Sequence, residues 1–363
     1  MNEVLDFLKS VFITAWSFLN SASCYIVISF VIAGIIHEFV GIEQMKKFAI
    51  GTTKISGIVA TTVIGMIIPI CSCGTIPLGI SMYYSGAYLG PVLTFMTSSP
   101  MINPIALVLS YGLLGKEIAT IYLITGFVAP FLIGIIANKF AGLELYYKPA
   151  YENANKQIQL EKEKKSFFSK IKSGLHWSFF ELSVVISKFT VSGMLIAGIL
   201  FSVVPQTMIQ RYLGNPGAIS LLGITVVACL MYVCAVGHIP FIAAIVASGA
   251  APGVAITFLM AGCATNIAEL LSIRKLIGKR AVIIYVTSVI LLSEIVGYIT
   301  NLLLPNFKPV LRYDNITHSI SYANKFIIEF PTALKYSCSI LLIFYSLVSL
   351  YRHLKKKKVL ASL

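Results

Sequence analysis

The chain alternates long apolar tracts with short charged runs. Residues 10–36, 118–138, 189–210 and 336–351 contain no Asp, Glu, Lys or Arg, and residues 281–304 contain one, Glu294. A helix crosses ~30 Å of hydrocarbon with about 20 apolar residues, so each of these five stretches is expected to span a membrane. Two further tracts, 55–115 and 212–268, are also free of charge but too long for one helix, and Gly and Pro interrupt them. In the first, the pattern predicts a helix over 55–68. Pro69 and the run Cys71-Ser72-Cys73-Gly74-Thr75-Ile76-Pro77 then break it, because an interior Gly weakens a helix by ~1 kcal/mol and an interior Pro by ~3 kcal/mol. Short helices over 77–85 and 89–99 follow, joined at Gly86-Ala87. Pro100 and Asn103-Pro104 interrupt the chain again before a helix over 105–114. At 1.5 Å per residue such pieces reach only ~14–18 Å. They are read as broken or re-entrant helices, whose open backbone is tolerable only in a cavity or against packed protein.

The two long tracts repeat each other. With a shift of 163 residues, Cys71 meets Cys234, Gly74 meets Gly237, and Ile76-Pro77 meets Ile239-Pro240. Ser85-Gly86-Ala87 meets Ser248-Gly249-Ala250, Gly90 meets Gly253, Thr94-Phe95 meets Thr257-Phe258, and Asn103 meets Asn266. Shared apolar composition does not generate matched Cys, Pro, Asn and Gly.

Composition argues against a soluble enzyme and excludes a disordered or collagenous protein. Apolar residues make up 57% and charged residues 12%, about half the ~25% charge of a soluble domain. The net charge of +14 points to topology rather than nucleic acid, because the basic residues sit in runs between apolar tracts. Lys46, Lys47 and Lys54 form one run, Lys139 to Lys172 a second, Arg274 to Arg280 a third, and Arg352 with Lys355 to Lys358 a fourth. Placing all four on the cytoplasmic side satisfies the positive-inside rule. The N-terminus is then outside and the C-terminus cytoplasmic. The first long tract runs inside to outside and the second outside to inside, so the repeats are expected to be inverted. Inverted repeats with corresponding Gly/Pro-broken segments point to a transporter whose site lies near the midplane.

The expected fold class is therefore all-α: a polytopic inner-membrane protein with two inverted repeats and one extra C-terminal span. Residues 1–140 form repeat 1, 141–182 a cytoplasmic linker with an interfacial helix, and 183–304 repeat 2. Residues 305–363 supply an external loop, the last span and a basic tail. Besides lipid, the expected partner is a small soft solute or metalloid. The oligomeric state stays open, a homo-oligomer included. No cofactor motif occurs, and Gly115-Lys116-Glu117 and Gly278-Lys279-Arg280 lack the Ser/Thr that a Walker A lysine requires. No ATP site is expected in this chain.

Cys71 and Cys73 are the sharpest chemistry. Two thiols at a helix break can converge on one soft centre, since thiolate prefers soft ions. Trivalent arsenic shares that softness. Cys234, at the position of Cys71 in the second tract, is a candidate third ligand. His238, opposite Thr75, is a candidate coupling or ligating group, because intramembrane ionisable residues are costly and tend to be functional. Asn103 and Asn266 stand at helix starts, where Asn caps, and are candidates to line the solute path. Glu294 lies mid-span with no partner evident, and Glu269 reads as a residue near the surface beside Arg274. A membrane thiol oxidoreductase using the Cys71/Cys73 pair is the competing enzymatic reading.

Residues 69–78, Pro-Ile-Cys-Ser-Cys-Gly-Thr-Ile-Pro-Leu, followed by Ser85-Gly86-Ala87, Gly90, Thr94-Phe95 and Ser99-Pro100-Met101-Ile102-Asn103-Pro104, resemble the ArsP-like predicted permease family. Gly237-His238-Ile239-Pro240, Ser248-Gly249 and Pro252-Gly253 match the same pattern. The resemblance extends over roughly residues 15–304. It implies a bacterial or archaeal inner-membrane permease, not an enzyme, that exports trivalent organoarsenicals or, in related branches, divalent metals. Cys71 and Cys73 fall on the family's motif.

Overall fold

Uncharged tracts can satisfy their backbone within hydrocarbon only as helices or closed barrels. In a computed structural model, which describes residues 2–39, 50, 52–68, 70, 72–149, 152, 167–203, 218–230, 235–247, 250–305, 307 and 330–361, the regular elements described are all helices. Helix α1 is Asn2–Phe39, α2 Ile55–Ile67, α3 Ser72–Tyr84, α4 Leu89–Met101, α5 Pro104–Leu113 and α6 Lys116–Phe140. Helix α7, Phe167–Trp177, continues through a π-helical turn, Ser178–Leu182, into α8, Ser183–Val203. Then come α9 Ala218–Leu230, α10 Ala235–Ala247, α11 Pro252–Ala264, α12 Ile267–Leu276, α13 Lys279–Leu303 and α14 Thr332–Ala361.

Five stretches among the described residues are long and apolar enough to cross a membrane: Val11–Phe39, Lys116–Phe140, Phe167–Ile196, Lys279–Leu303 and Thr332–Arg352. Four match the expected spans, and the third, expected over 189–210, is found instead over Phe167–Ile196. The third starts at Phe167, so the segment read as an interfacial helix is continuous with the span. The bent pairs α4–α5 and α11–α12 turn by 44° and 42° at their breaks. The interior of the linker and most of the loop before α14 lie outside the described residues.

The repeat reaches every element of the two tracts. Helices α2 to α6 and α9 to α13 have the same bounds once 163 is added, from Ile55 against Ala218 to Phe140 against Leu303. The register also pairs the positive-φ glycines Gly115 and Gly278 that separate the last two helices of each set.

Two elements differ from their sequence reading. Helix α3 begins at Ser72, not at 77, and contains Gly74 and Pro77. Tertiary packing outweighs propensity here. A Cβ on Gly74 would stand 2.6 Å from Ser29 Oγ of α1, so the glycine serves close approach of two helices rather than a break. Similarly, Pro100 lies inside α4, which runs to Met101.

Two apolar cores lie at opposite ends of α6 and α13. One joins Ile133 and Ala137 near the end of α6 to Ala281 and Tyr285 near the start of α13. The other joins Ile118 and Tyr122 near the start of α6 to Leu304 just beyond α13. The two helices pack together, so these equivalent spans are antiparallel neighbours. Hydrogen bonds agree: Arg280 Nε donates to Phe140 O at 2.8 Å, and Glu144 accepts from the Arg280 and Ala281 backbone N–H groups. The same end gathers Tyr83, whose hydroxyl donates to Glu144 O, and Leu89, whose N–H donates to Leu145 O. Tyr88 N donates there to Ile50 O. Lys54, Lys139, Arg274, Lys275, Lys279 and Arg280 belong to segments that begin or finish at this end.

Candidate solute site

Helix α2 starts at the cationic end and α3 finishes there, each with 13 residues. At 1.5 Å rise, such a helix reaches about 20 Å. The break between them therefore lies up to about 20 Å from that end. Helix α4 descends from the same end, and Ser99 near its finish donates to Ile68 O at 3.1 Å and Ile70 O at 3.3 Å. The α2–α3 break thus sits beside the α4–α5 break. The second repeat does the same with different atoms: Thr265 Oγ1, at the α11–α12 break, donates to Cys229 Sγ at 3.1 Å near the end of α9.

The halves then pack crosswise. Helix α3 of the first meets α12 of the second, α10 of the second meets α5 of the first, and α4 meets α11. Tyr84 Oη donates to Leu276 O at 3.1 Å, tying the ends of α3 and α12. Within each half the flanks of the two breaks lie side by side, and α4 and α11, which lead into the two bends, pack on each other across the halves.

Asn103 and Asn266 stand at two of these breaks, both buried. Asn103 Oδ1 accepts from Ala106 N at 2.9 Å, and Asn266 Oδ1 accepts from Glu269 N at 2.8 Å. Each satisfies an orphan donor of a helix N-terminus, a cap typically worth ~1 kcal/mol. Thr94 and Thr257 bond across helix crossings: their hydroxyls donate to Pro130 O and Ser293 O at 3.2 and 3.1 Å.

His238 is half-buried in the first turns of α10, with its ring 6.1 Å from Phe258 and 6.4 Å from Phe241. Helix α10 packs on α5, which Asn103 opens. Cys73 lies in the first turn of α3, the helix that packs on α12. Cys71, Cys234 and the Cys73 side chain lie outside what the structure describes. Among the described residues, no group of three or more His, Cys, Asp or Glu is placed to hold a metal ion.

Sequence reasoning missed Glu269. It is fully buried, with no exposed surface, and not at the surface beside Arg274. Tyr285 Oη donates to its Oε1 at 3.2 Å and Asn266 Nδ2 to its Oε2 at 3.1 Å. The signal that would have found it is the repeat itself: Ala106 occupies the equivalent place in the first half. Glu294 does have a partner, because the Thr225 hydroxyl donates to its Oε1.

Residues 1–302 match a family model described as ArsP_1, predicted permease. A UPF0718 protein of Methanocaldococcus jannaschii is 26% identical over 360 residues, covering 84% of this chain and 98% of that protein. UPF0718 protein YcgR of Bacillus subtilis is 29% identical over 133 residues, 36% of this chain and 44% of that protein. UPF0718 protein YraQ of Escherichia coli is 22% identical over 253 residues, 68% of each chain. No solved structure matches.

Proposed function

The chain belongs to the ArsP_1 family of predicted permeases, and on that premise we propose that it exports a soft, thiol-reactive solute, above all trivalent organoarsenic, by alternating access. The observation that carries the reading is the pairing of helix breaks within each of two crosswise-packed repeats. Broken helices at a repeat interface are how transporters build midplane sites, and exposed backbone is tolerable there because it lines a cavity. Cys71 and Cys73 at one break, with Cys234 at its counterpart, supply the sulfur ligands. Trivalent arsenic binds thiolates as other soft centres do. His238 on α10 ligates the solute or carries a proton, and Asn103 and Asn266 hold the path open as caps.

In this reading the repeats are inverted, which the antiparallel packing of α6 on α13 supports. The cationic end faces the cytoplasm of a bacterial or archaeal cell, as the positive-inside rule favours, with the N-terminus outside.

Arsenic-sensitive cells expressing the chain should accumulate less methylarsenite than empty-vector cells, and Cys73→Ser should remove that protection. Equal accumulation in the two strains would refute arsenic export. Mass spectrometry of purified protein exposed to a panel of metals and metalloids provides a second check. Retention of zinc or cadmium without arsenic would move the substrate to a metal ion.

A further inference from the structure

The buried carboxyl of Glu269 has no part in the mechanism above. An acid at the third position of a helix opened by Asn has an ordinary explanation, the capping box, in which it reaches back to the backbone N–H of the cap residue. Glu269 does not use that bond. Its carboxylate oxygens bind the phenol of Tyr285 and the side-chain amide of Asn266. The repeat also acts as an internal control. Helix α5 carries the same cap, Asn103, with Ala106 where Glu269 stands. Tyr122, in the register of Tyr285, donates to Met101 O. The first half therefore satisfies its cap and its tyrosine without a carboxylate.

No cation among the described residues compensates it. Helix α12 packs against α3, α8 and α13. On α3 the titratable residues are Cys73, Tyr83 and Tyr84, and Tyr84 is bonded at the far end of α12, to Leu276 O. On α8 there is half-buried Lys188, which makes no ion pair with Glu269. On α13, Lys279 and Arg280 are exposed at the cationic end, Glu294 is held by Thr225, and Tyr298 is exposed. Arg274 and Lys275 of α12 itself are exposed. Tyr285 is the titratable group that reaches Glu269.

The network continues into the other half. Thr97 Oγ1 of α4 lies 3.5 Å from Tyr285 Oη, and its hydroxyl donates to Leu93 O at 2.7 Å. This arrangement offers partners in two protonation states, the second needing only that Tyr285 and Thr97 draw a few tenths of an ångström closer. With Glu269 charged, the Tyr285 O–H donates to the carboxylate. With Glu269 protonated, the acid O–H donates to the tyrosine oxygen, and the Tyr285 O–H turns to Thr97 Oγ1. A proton on Glu269 thereby reverses the sense of a hydrogen-bonded line that crosses from the second repeat to the first, at the bend between α11 and α12.

We propose that Glu269, with Tyr285 and Thr97, is a proton-binding site built into the boundary between the halves. Resting on the permease reading, it is the site that couples solute movement to a proton drawn from water on one side and released to water on the other. Buried, unpaired carboxyls in membrane interiors mark such relays because their charge is expensive to hold there.

Two measurements test this separately. In the first, purified full-length protein is titrated with acid and followed by infrared difference spectroscopy. Wild type is expected to show a carboxylic-acid band that titrates. The band should be lost in Glu269→Gln, retained in Glu294→Gln, shifted in frequency in Tyr285→Phe, and indifferent to sodium. A band that survives Glu269→Gln, fails to move in Tyr285→Phe, or gives way to sodium at fixed pH overturns the site. In the second, proteoliposomes holding a pH-sensitive dye are given methylarsenite. Wild type should move protons with the solute, and Glu269→Gln should not. Solute movement without protons in wild type overturns the coupling while leaving arsenic transport standing. If wild type moves no methylarsenite but its band titrates and is lost in Glu269→Gln, the substrate reading falls and the proton site is upheld.

Discussion

Asn103 and Asn266 show how one residue type does different work in two copies of one motif. Both accept a backbone N–H at their helix start, but only Asn266 also donates to a buried carboxylate. Removing a cap destabilises by ~1 kcal/mol, and leaving a buried polar atom without its partner costs about 1–3 kcal/mol more. Asn266→Ala should therefore lower the melting temperature of the purified protein further than Asn103→Ala. Equal losses in a thermal unfolding assay would mean that the amide bond to Glu269 contributes nothing. The caps were legible in the sequence because an Asn after an apolar helix and before another is a local signal. Glu269 was not legible, because its burial depends on α3 and α8, which are distant in the chain, as well as on the neighbouring α13.

At the scale of elements, paired glycines set how closely helices cross. A Cβ on Gly90 would stand 2.5 Å from Gly134 O, and one on Gly253 would stand 2.1 Å from Gly297 O. The freed contact is filled by Asn138 and Asn301, which accept from the Gly90 and Gly253 N–H groups at 2.8 and 2.7 Å. Small residues at helix crossings are the means by which membrane helices gain van der Waals contact without a hydrophobic driving force. Gly90→Ala and Gly253→Ala should each push apart α4 and α6, or α11 and α13, and reduce the folded yield in detergent. Gly223→Ala should not: its Cβ would meet nothing within 4 Å, and Ala favours the helix by ~1 kcal/mol. A size-exclusion profile of the three variants decides the matter, and a normal Gly253→Ala would refute the close crossing. The same contrast explains why Gly74 was misread. From sequence, glycine signals a weak helix, and only its neighbour on α1 reveals that the helix needs it.

For the whole molecule, the placement of Phe140 against Arg280 predicts which residues share a side of the membrane. In an otherwise cysteine-free chain, Lys139→Cys and Lys279→Cys should react with an impermeant thiol reagent from one side, and Lys116→Cys and Leu304→Cys from the other. Labelling of the first pair from opposite sides would rule out inverted repeats. The sequence by itself determined the all-helical membrane class, four of the five long spans, the broken tracts and their 163-residue register. Charge-free runs, Gly/Pro breaks and the matched Cys, Asn and Gly are properties of neighbouring residues that the solvent of hydrocarbon reads directly. Only the tertiary structure decided that α3 begins at Ser72, that the breaks of one repeat pack on helices of the other, and that Glu269 is sealed inside with Tyr285. Those outcomes depend on contacts between different helices, from Tyr285 on Glu269, 16 residues apart, to Tyr84 on Leu276, 192 apart, and a local pattern of hydrophobicity carries no information about which other helix will cover it.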